Sequence, residues 1–269
     1  MAINRKDFLL SLGSLAAGMP LGALVHHGLS GAPGSVQRGA LGTSTIRTPP
    51  REATAGSGTR SYSQCGEDLI ADFIFRYLAI FQIPYLDIGA YDPIQINNTY
   101  FFYLKGHRGV LVEPNAAMCE KLRAVRPRDT TLAAGIGVTA AREADYYVMS
   151  DPSWNTFSKE EAEHQARVTD GRIFIQEVIQ VPLLNINDVM AEHFEGAPAF
   201  VSIDAEGLHL AILQSIDFER FRPKVICVET LVSGTNYPIP EIPAFMEAQG
   251  YVARGGSFVN TLFVDSEIL

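Results

Sequence analysis

Apolar positions in this chain alternate between two spacings, and the alternation begins near Ser61. Leu69, Ile70, Phe73, Ile74, Tyr77 and Leu78 recur at helical intervals, which predicts a helix with Ser63 as its N-cap and Glu67 and Asp68 in its first turn. A mainly apolar run from Ile83 to Ile88 reads as a buried strand, broken by Gly89-Ala90. A helix opening at Asn97-Asn98-Thr99 and running through Leu104 stops at Gly106, and the next strand covers 109–113. Further along, the pattern predicts a helix over 115–125, a strand over 130–135 and β-like stretches over 144–149 and 172–184. Helix 185–193, strand 199–203, helix 208–214, strand 224–229, a helix near 241–249 and a last strand 260–264 complete the series. Strands that alternate with helices in this way build an α/β domain around a largely parallel, doubly wound, Rossmann-like sheet.

Four of the strands end in or on a carboxylate: Asp87, Glu113, Asp204 and Glu229. Ligands of doubly wound sheets bind outside the carboxyl ends of the strands, so these acids are expected to ring one crevice. Glu113 ends the second strand, about 20 residues past the glycine turn, where an acid accepts hydrogen bonds from a ribose diol. Gly89 lacks a Cβ and is expected to let the backbone approach that ligand closely. A pyrophosphate cradle would need G-x-G-x-x-G, but Tyr91 and Ile94 stand where its second and third glycines belong. Asp87 and Asp92 in the same turn suit a cationic amino-acid or sulfonium group instead. The residues therefore favour S-adenosylmethionine over a nicotinamide dinucleotide.

Composition narrows the partners. The chain of 269 residues has 47% hydrophobic and 19% charged residues and a formal net charge of −9. Residues 1–60 are nevertheless basic, with Arg5, Lys6, Arg38, Arg47, Arg51 and Arg60 against Asp7 and Glu52. An acidic body lacks the basic face that nucleic acid requires, so a small-molecule or glycan substrate is expected. Cys65, Cys119 and Cys227 are too scattered for a disulfide framework or a zinc site. The start, Arg5-Lys6-Asp7-Phe8-Leu9 followed by an apolar stretch to Val25, has the form of an export signal of the twin-arginine kind with lysine for the second arginine. Residues 1–27 are thus expected to be a signal or a membrane tether through 8–25, leaving the body cytoplasmic, membrane-tethered and facing the cytoplasm, or exported. Residues 28–60, rich in Gly, Ser, Thr, Pro and Ala, are expected to form a disordered linker before a domain over 61–269.

Taken in order, Ser63-Gln64-Cys65-Gly66-Glu67-Asp68, Asp87-Ile88-Gly89-Ala90, Asn98-Thr99, Gly109-Val110-Leu111-Val112-Glu113-Pro114-Asn115 and Ser202-Ile203-Asp204-Ala205-Glu206-Gly207 resemble the FkbM-type methyltransferases. The resemblance spans 61–264. It implies a class I S-adenosylmethionine-dependent fold, a seven-stranded sheet with the last strand antiparallel, and O-methylation of a hydroxyl on a sugar or natural product. It further implies cofactor contacts from Gln64, Glu67, Asp87, Gly89, Ala90, Tyr91, Asn98, Thr99, Glu113, Pro114 and Asn115, with Asp204 and Glu206 facing the reacting centre. The chain departs from the family where Asp92-Pro93 replaces a further glycine and His209 stands two residues after Gly207, where a Glu is usual.

Methyl transfer to a hydroxyl needs alignment and a proton acceptor. Asp204 is the first candidate base, with Glu206 and His209 behind it. These three residues have the donor types of a divalent-cation site, but ligand spacing alone does not show one, and no metal is expected. Two other readings compete: a module that keeps the fold without turnover, and a nicotinamide-dependent oxidoreductase that lacks its glycines.

Overall fold

The computed structural model describes residues 58–205, 207–232 and 235–269. The expected signal or tether over 1–27, nearly all of the expected linker over 28–60, and Glu206 lie outside the described residues. None of the described helices is long and apolar enough to cross a membrane.

The first helix, α1 (Glu67–Tyr77), starts later than a Ser63 cap implies. Gly66 occupies the N-cap position with φ +95, and Ser63 reaches in from three residues upstream: its hydroxyl accepts from the Gly66 amide at 3.0 Å and donates to Asp68 at 2.9 Å. The chain then runs β1 (Tyr85–Ile88), α2 (Tyr100–Leu104), β2 (Gly109–Val112), α3 (Ala116–Val125) and β3 (Thr130–Leu132). The predicted strand over 130–135 is two strands, because Gly135 and Ile136 leave the main sheet as β4. Next come β5 (Glu143–Met149), α4 (Lys159–Val168) and β6 (Ile175–Leu184). They are followed by α5 (Ile186–His193), β7 (Phe200–Ile203), α6 (His209–Ser215) and β8 (Val225–Glu229). The chain ends with α7 (Glu241–Ala248), β9 (Tyr251–Gly256) and β10 (Asn260–Asp265).

The main sheet has seven strands in the order β3-β2-β1-β7-β8-β10-β9. From β3 to β8 all neighbours are parallel, and β10, the last strand, enters antiparallel to both β8 and β9. This is the expected fold class. The β-like stretches form a separate three-stranded sheet, β4-β6-β5. Strands β1, β7 and β8 are buried at every position because helices cover both faces, which is why they read as continuous apolar runs. One face packs Leu86, Ile88, Val112, Val201, Ile203 and Val228, and the other packs Tyr85, Leu111, Phe200, Val225 and Cys227.

The strand order reverses between β1 and β7, and a crevice opens at such a switch point beyond the carboxyl ends. In the parallel register Asp87 lies opposite both Leu111 and Ser202, and Ser202 lies opposite Cys227. Because side chains alternate along a strand, Glu113, Asp204 and Glu229, each two residues further on, point to the same face as Asp87.

Candidate active site

The crevice floor is built where β1 turns over the end of β2. Gly89 and Ala90 both donate their amides to the Val112 carbonyl, at 2.9 and 3.3 Å. Gly89 has φ +79, and a Cβ there would overlap the Asp204 carbonyl oxygen. The residue that needs the space is thus the end of β7, where the sequence pointed to a ligand. Past it, Tyr91 at φ 50 and Ile96 at φ 53 hold left-handed conformations that side-chain-bearing residues rarely adopt. Strain of this kind collects at ligand-binding loops.

Glu113 is 4% exposed. One of its carboxylate oxygens accepts from the Tyr91 amide at 2.8 Å and the other from the Asn115 amide at 2.7 Å. Burial pushes its pKa up to about 7; the two amides pull it down, and the nearby Asp87 charge adds to the rise. Each oxygen still has a second lone pair, so the group can accept two further donors. Asn115 caps α3, its side-chain oxygen accepting from Ala117 and Met118, and Pro114 stands between the two.

Asp87 is 3% exposed and held from the side of α2. Its Oδ2 accepts from the Thr99 hydroxyl at 2.6 Å and from Asn97 Nδ2 at 3.3 Å. Burial raises its pKa despite the Arg126 charge and these two bonds. Asn98 turns instead to Ser202 Oγ at 3.1 Å. Glu67 takes a hydrogen bond from Asn260 at 2.8 Å, another from Ser257 at 2.6 Å and a third from the Cys65 amide. Burial opposes its ionisation, and those bonds outweigh it and hold the carboxyl below its ordinary value. Glu67 therefore ties α1 to the β9–β10 turn. Gln64 is half-buried beside it.

Two residues of this site are not evident in the sequence. Asn97 donates to Asp87, Ala90 and Asp92, and its oxygen accepts from the Thr99 and Tyr100 amides. Arg126, fully buried, pairs with Asp129 at 2.8 Å and donates to Asn97 and Thr99 at 3.1 and 2.9 Å. An Asx cap before Tyr100 could have signalled Asn97; an isolated arginine in a loop carries no such signal.

At the other side of the switch point the Asp204 amide donates to Ile88, continuing the β1–β7 ladder. Its side chain is 35% exposed, whereas Glu229 at the end of β8 is 2% exposed. His209, the first residue of α6, is buried, and its Nε2 accepts from the Ala205 amide at 3.2 Å. That nitrogen lies 4.0 Å from Asp204 Oδ1 and 3.6 Å from Glu229 Oε2. The structure thus brings Asp204 and His209 together with Glu229.

The donor set suits an adenosyl amino acid: a carboxylate with spare lone pairs on the β2 side, a second acid deep in the crevice, and a strained loop between them. Residues 87–253 match the family described as the methyltransferase FkbM domain. Among solved structures the chain is similar to a TehB-like SAM-dependent methyltransferase from Corynebacterium glutamicum, at 9% identity and TM-score 0.41, over 76% of this chain and 89% of that one. It is also similar to an O-methyltransferase from Bacillus cereus in complex with SAH, at 13% identity and TM-score 0.38, over 74% and 80% of the two chains. None of the curated proteins matches. The family match covers more than half of the chain, which therefore belongs to the FkbM methyltransferase family and is an S-adenosylmethionine-dependent methyltransferase.

Proposed function

We propose that the chain O-methylates a hydroxyl group of a sugar, glycan or natural product. The observation that carries this reading is the exposure of Asp204. Of the four strand-end acids, Asp87, Glu113 and Glu229 are 2–4% exposed, and Asp204 alone opens to solvent with a side chain 35% exposed. A carboxylate that a substrate can reach, on the same sheet face as the cofactor acids, is placed to receive a hydroxyl proton.

In this reading Glu113 holds the ribose hydroxyls with its two spare lone pairs, and Asp87 faces the amino-acid end. Gly89, Ala90 and Tyr91 line the turn between them. Gln64, Glu67, Asn98, Thr99, Pro114 and Asn115 keep those elements in place. S-adenosylmethionine, when bound, supplies a methyl group made electrophilic by its sulfonium. The chain's own task is to align the acceptor oxygen behind that methyl and to remove its proton. Asp204 takes the proton as the oxygen is methylated. His209, the first residue of α6, stands beside it with Nε2 4.0 Å from Asp204 Oδ1. Glu206, two residues after Asp204 in the sequence, is the second candidate acid.

The test is transfer of labelled methyl groups to a panel of hydroxylated acceptors. Asp204→Asn should lower kcat about 100-fold or more while S-adenosylhomocysteine affinity stays within a few-fold. Cofactor binding with no turnover on any acceptor would favour a binding-only module. Transfer to nitrogen acceptors only would reject the hydroxyl.

A further inference from the structure

We propose that Asp204, His209 and Glu229 form a site for a divalent cation of the first transition row. The three come from three different elements: the turn after β7, the start of α6 and the end of β8. Each offers one donor atom, and the three atoms lie within 4.8 Å of one another. From His209 Nε2 the two carboxylate oxygens are 3.6 and 4.0 Å away. Donors about 2.1 Å from one octahedral ion sit about 3.0 Å apart when adjacent and about 4.2 Å apart when opposite. At 3.6 and 4.0 Å the two His209 separations exceed the adjacent spacing, so the side chains close on the ion by several tenths of an ångström when it binds.

A second observation points to the same centre. Asp204 Oδ1 is shut off from water and has no hydrogen-bond partner among the described residues, although the rest of the side chain reaches solvent. A carboxylate oxygen stripped of water without a donor is costly, more so with a second carboxylate facing it. One divalent ion would offset both charges at once. His209 Nε2 accepts the Ala205 amide at 3.2 Å, so it carries no proton; to bind a cation the ring gives up that hydrogen bond and turns its lone pair toward the two carboxylates. The supports are rigid: the Asp204 amide is tied to Ile88, and Glu229 is paired in register with Asn260. Two carboxylates and an imidazole suit Mn2+, Fe2+ or Zn2+ better than Ca2+, which prefers all-oxygen shells.

The site deepens the reading of Asp204 and rests on it in one respect. The ion's open positions would lie on the exposed flank of Asp204, where the acceptor hydroxyl enters; a bound hydroxyl becomes more acidic there, and Asp204 Oδ2 stays available for its proton. The competing arrangement has no metal: a protonated His209 pairing with both carboxylates.

The experiment uses the full chain, stripped with chelator and titrated with Mn2+ under electron paramagnetic resonance and calorimetry. S-adenosylhomocysteine is titrated in parallel. One Mn2+ per chain is expected, with affinity weakened about tenfold or more in Asp204→Asn and in His209→Asn. Asp204→Asn is partly exposed and keeps its backbone ladder, so its S-adenosylhomocysteine affinity serves as the check that it folds. No saturable Mn2+ uptake by the stripped wild type, or uptake unchanged in both variants, would overturn the site. A chain that binds S-adenosylhomocysteine but not Mn2+ loses the cation site and keeps the reading of its reaction. One that binds Mn2+ but not S-adenosylhomocysteine keeps the site and loses that reading.

Discussion

Glu113 combines two demands that pull in opposite directions. In the proposed cofactor pose it is ionised to accept two ribose hydroxyls in addition to its two backbone amides, yet burial holds its pKa up to about 7. Cofactor affinity should therefore depend on pH in a way that an exposed carboxylate would not. Below about pH 7 the affinity for S-adenosylhomocysteine should fall about tenfold per pH unit, since each unit takes up the proton that competes with the ribose. Glu113→Gln should bind weakly at all pH values and flatten the profile. The stability linkage has its own sign. The folded pKa stands above the ordinary 4.5, so the stabilisation from the bound proton is full below about pH 4.5 and is lost as pH rises through about 7. Thermal melts of wild type and Glu113→Gln across that window should diverge accordingly. Gly89 makes a different prediction. An alanine there must hold φ +79 and displace the Asp204 carbonyl, so Gly89→Ala should cost at least about 2 kcal/mol and lower the melting midpoint by about 4–8 °C. Its position was legible from the break after the apolar run. Its reason was not, because the carbonyl it accommodates is 115 residues away in the chain.

At the scale of elements, the buried strands were the easiest to read and the polar clasp between them the hardest. Residues 85–88, 200–203 and 225–229 announce themselves as mainly apolar runs because a strand covered on both sides buries every position, with Asp87, Ser202 and Glu229 as the polar exceptions toward the site. The small β4-β6-β5 sheet was visible as β-like sequence, but its separation from the main sheet depends on β4 pairing with β6, an association no local pattern encodes. The clasp lies in two loops. Arg126, in the turn after α3, pairs with Asp129, and Asp129 also accepts from the Tyr85 hydroxyl at 2.8 Å and the Gly109 amide at 2.9 Å. Arg126 reaches Thr99, and Thr99 holds Asp87. Through Asp129 and Thr99, strands β1 and β2 and the start of α2 thus converge on one guanidinium with no access to water. Truncating it would leave Asp129 buried without its cation and release Thr99. Arg126→Met should cost about 3–5 kcal/mol, read as a lower urea midpoint with little change in slope. It should weaken cofactor binding as well, because Asp87 loses the charge that opposes its burial. An equally stable Arg126→Met would mean that the clasp contributes shape and little energy.

At the scale of the molecule, the described members of the two apolar clusters that sandwich the sheet all lie within residues 70–268. Every described donor and acceptor of the candidate site lies between Ser61 and Asn260 as well. Thr59–Leu269 forms a compact unit of its own. A fragment starting at Thr59 keeps every described residue of the core and of the crevice. It should unfold in one cooperative step within about 2 °C of the full chain and bind S-adenosylhomocysteine with affinity within about twofold. Calorimetry on both proteins checks this directly. The basic start of the chain would then act on location alone, which membrane flotation of full chain and fragment would show as a difference in partitioning with no difference in turnover. A fragment that folds but binds the cofactor poorly would give the first 58 residues a part in the crevice itself.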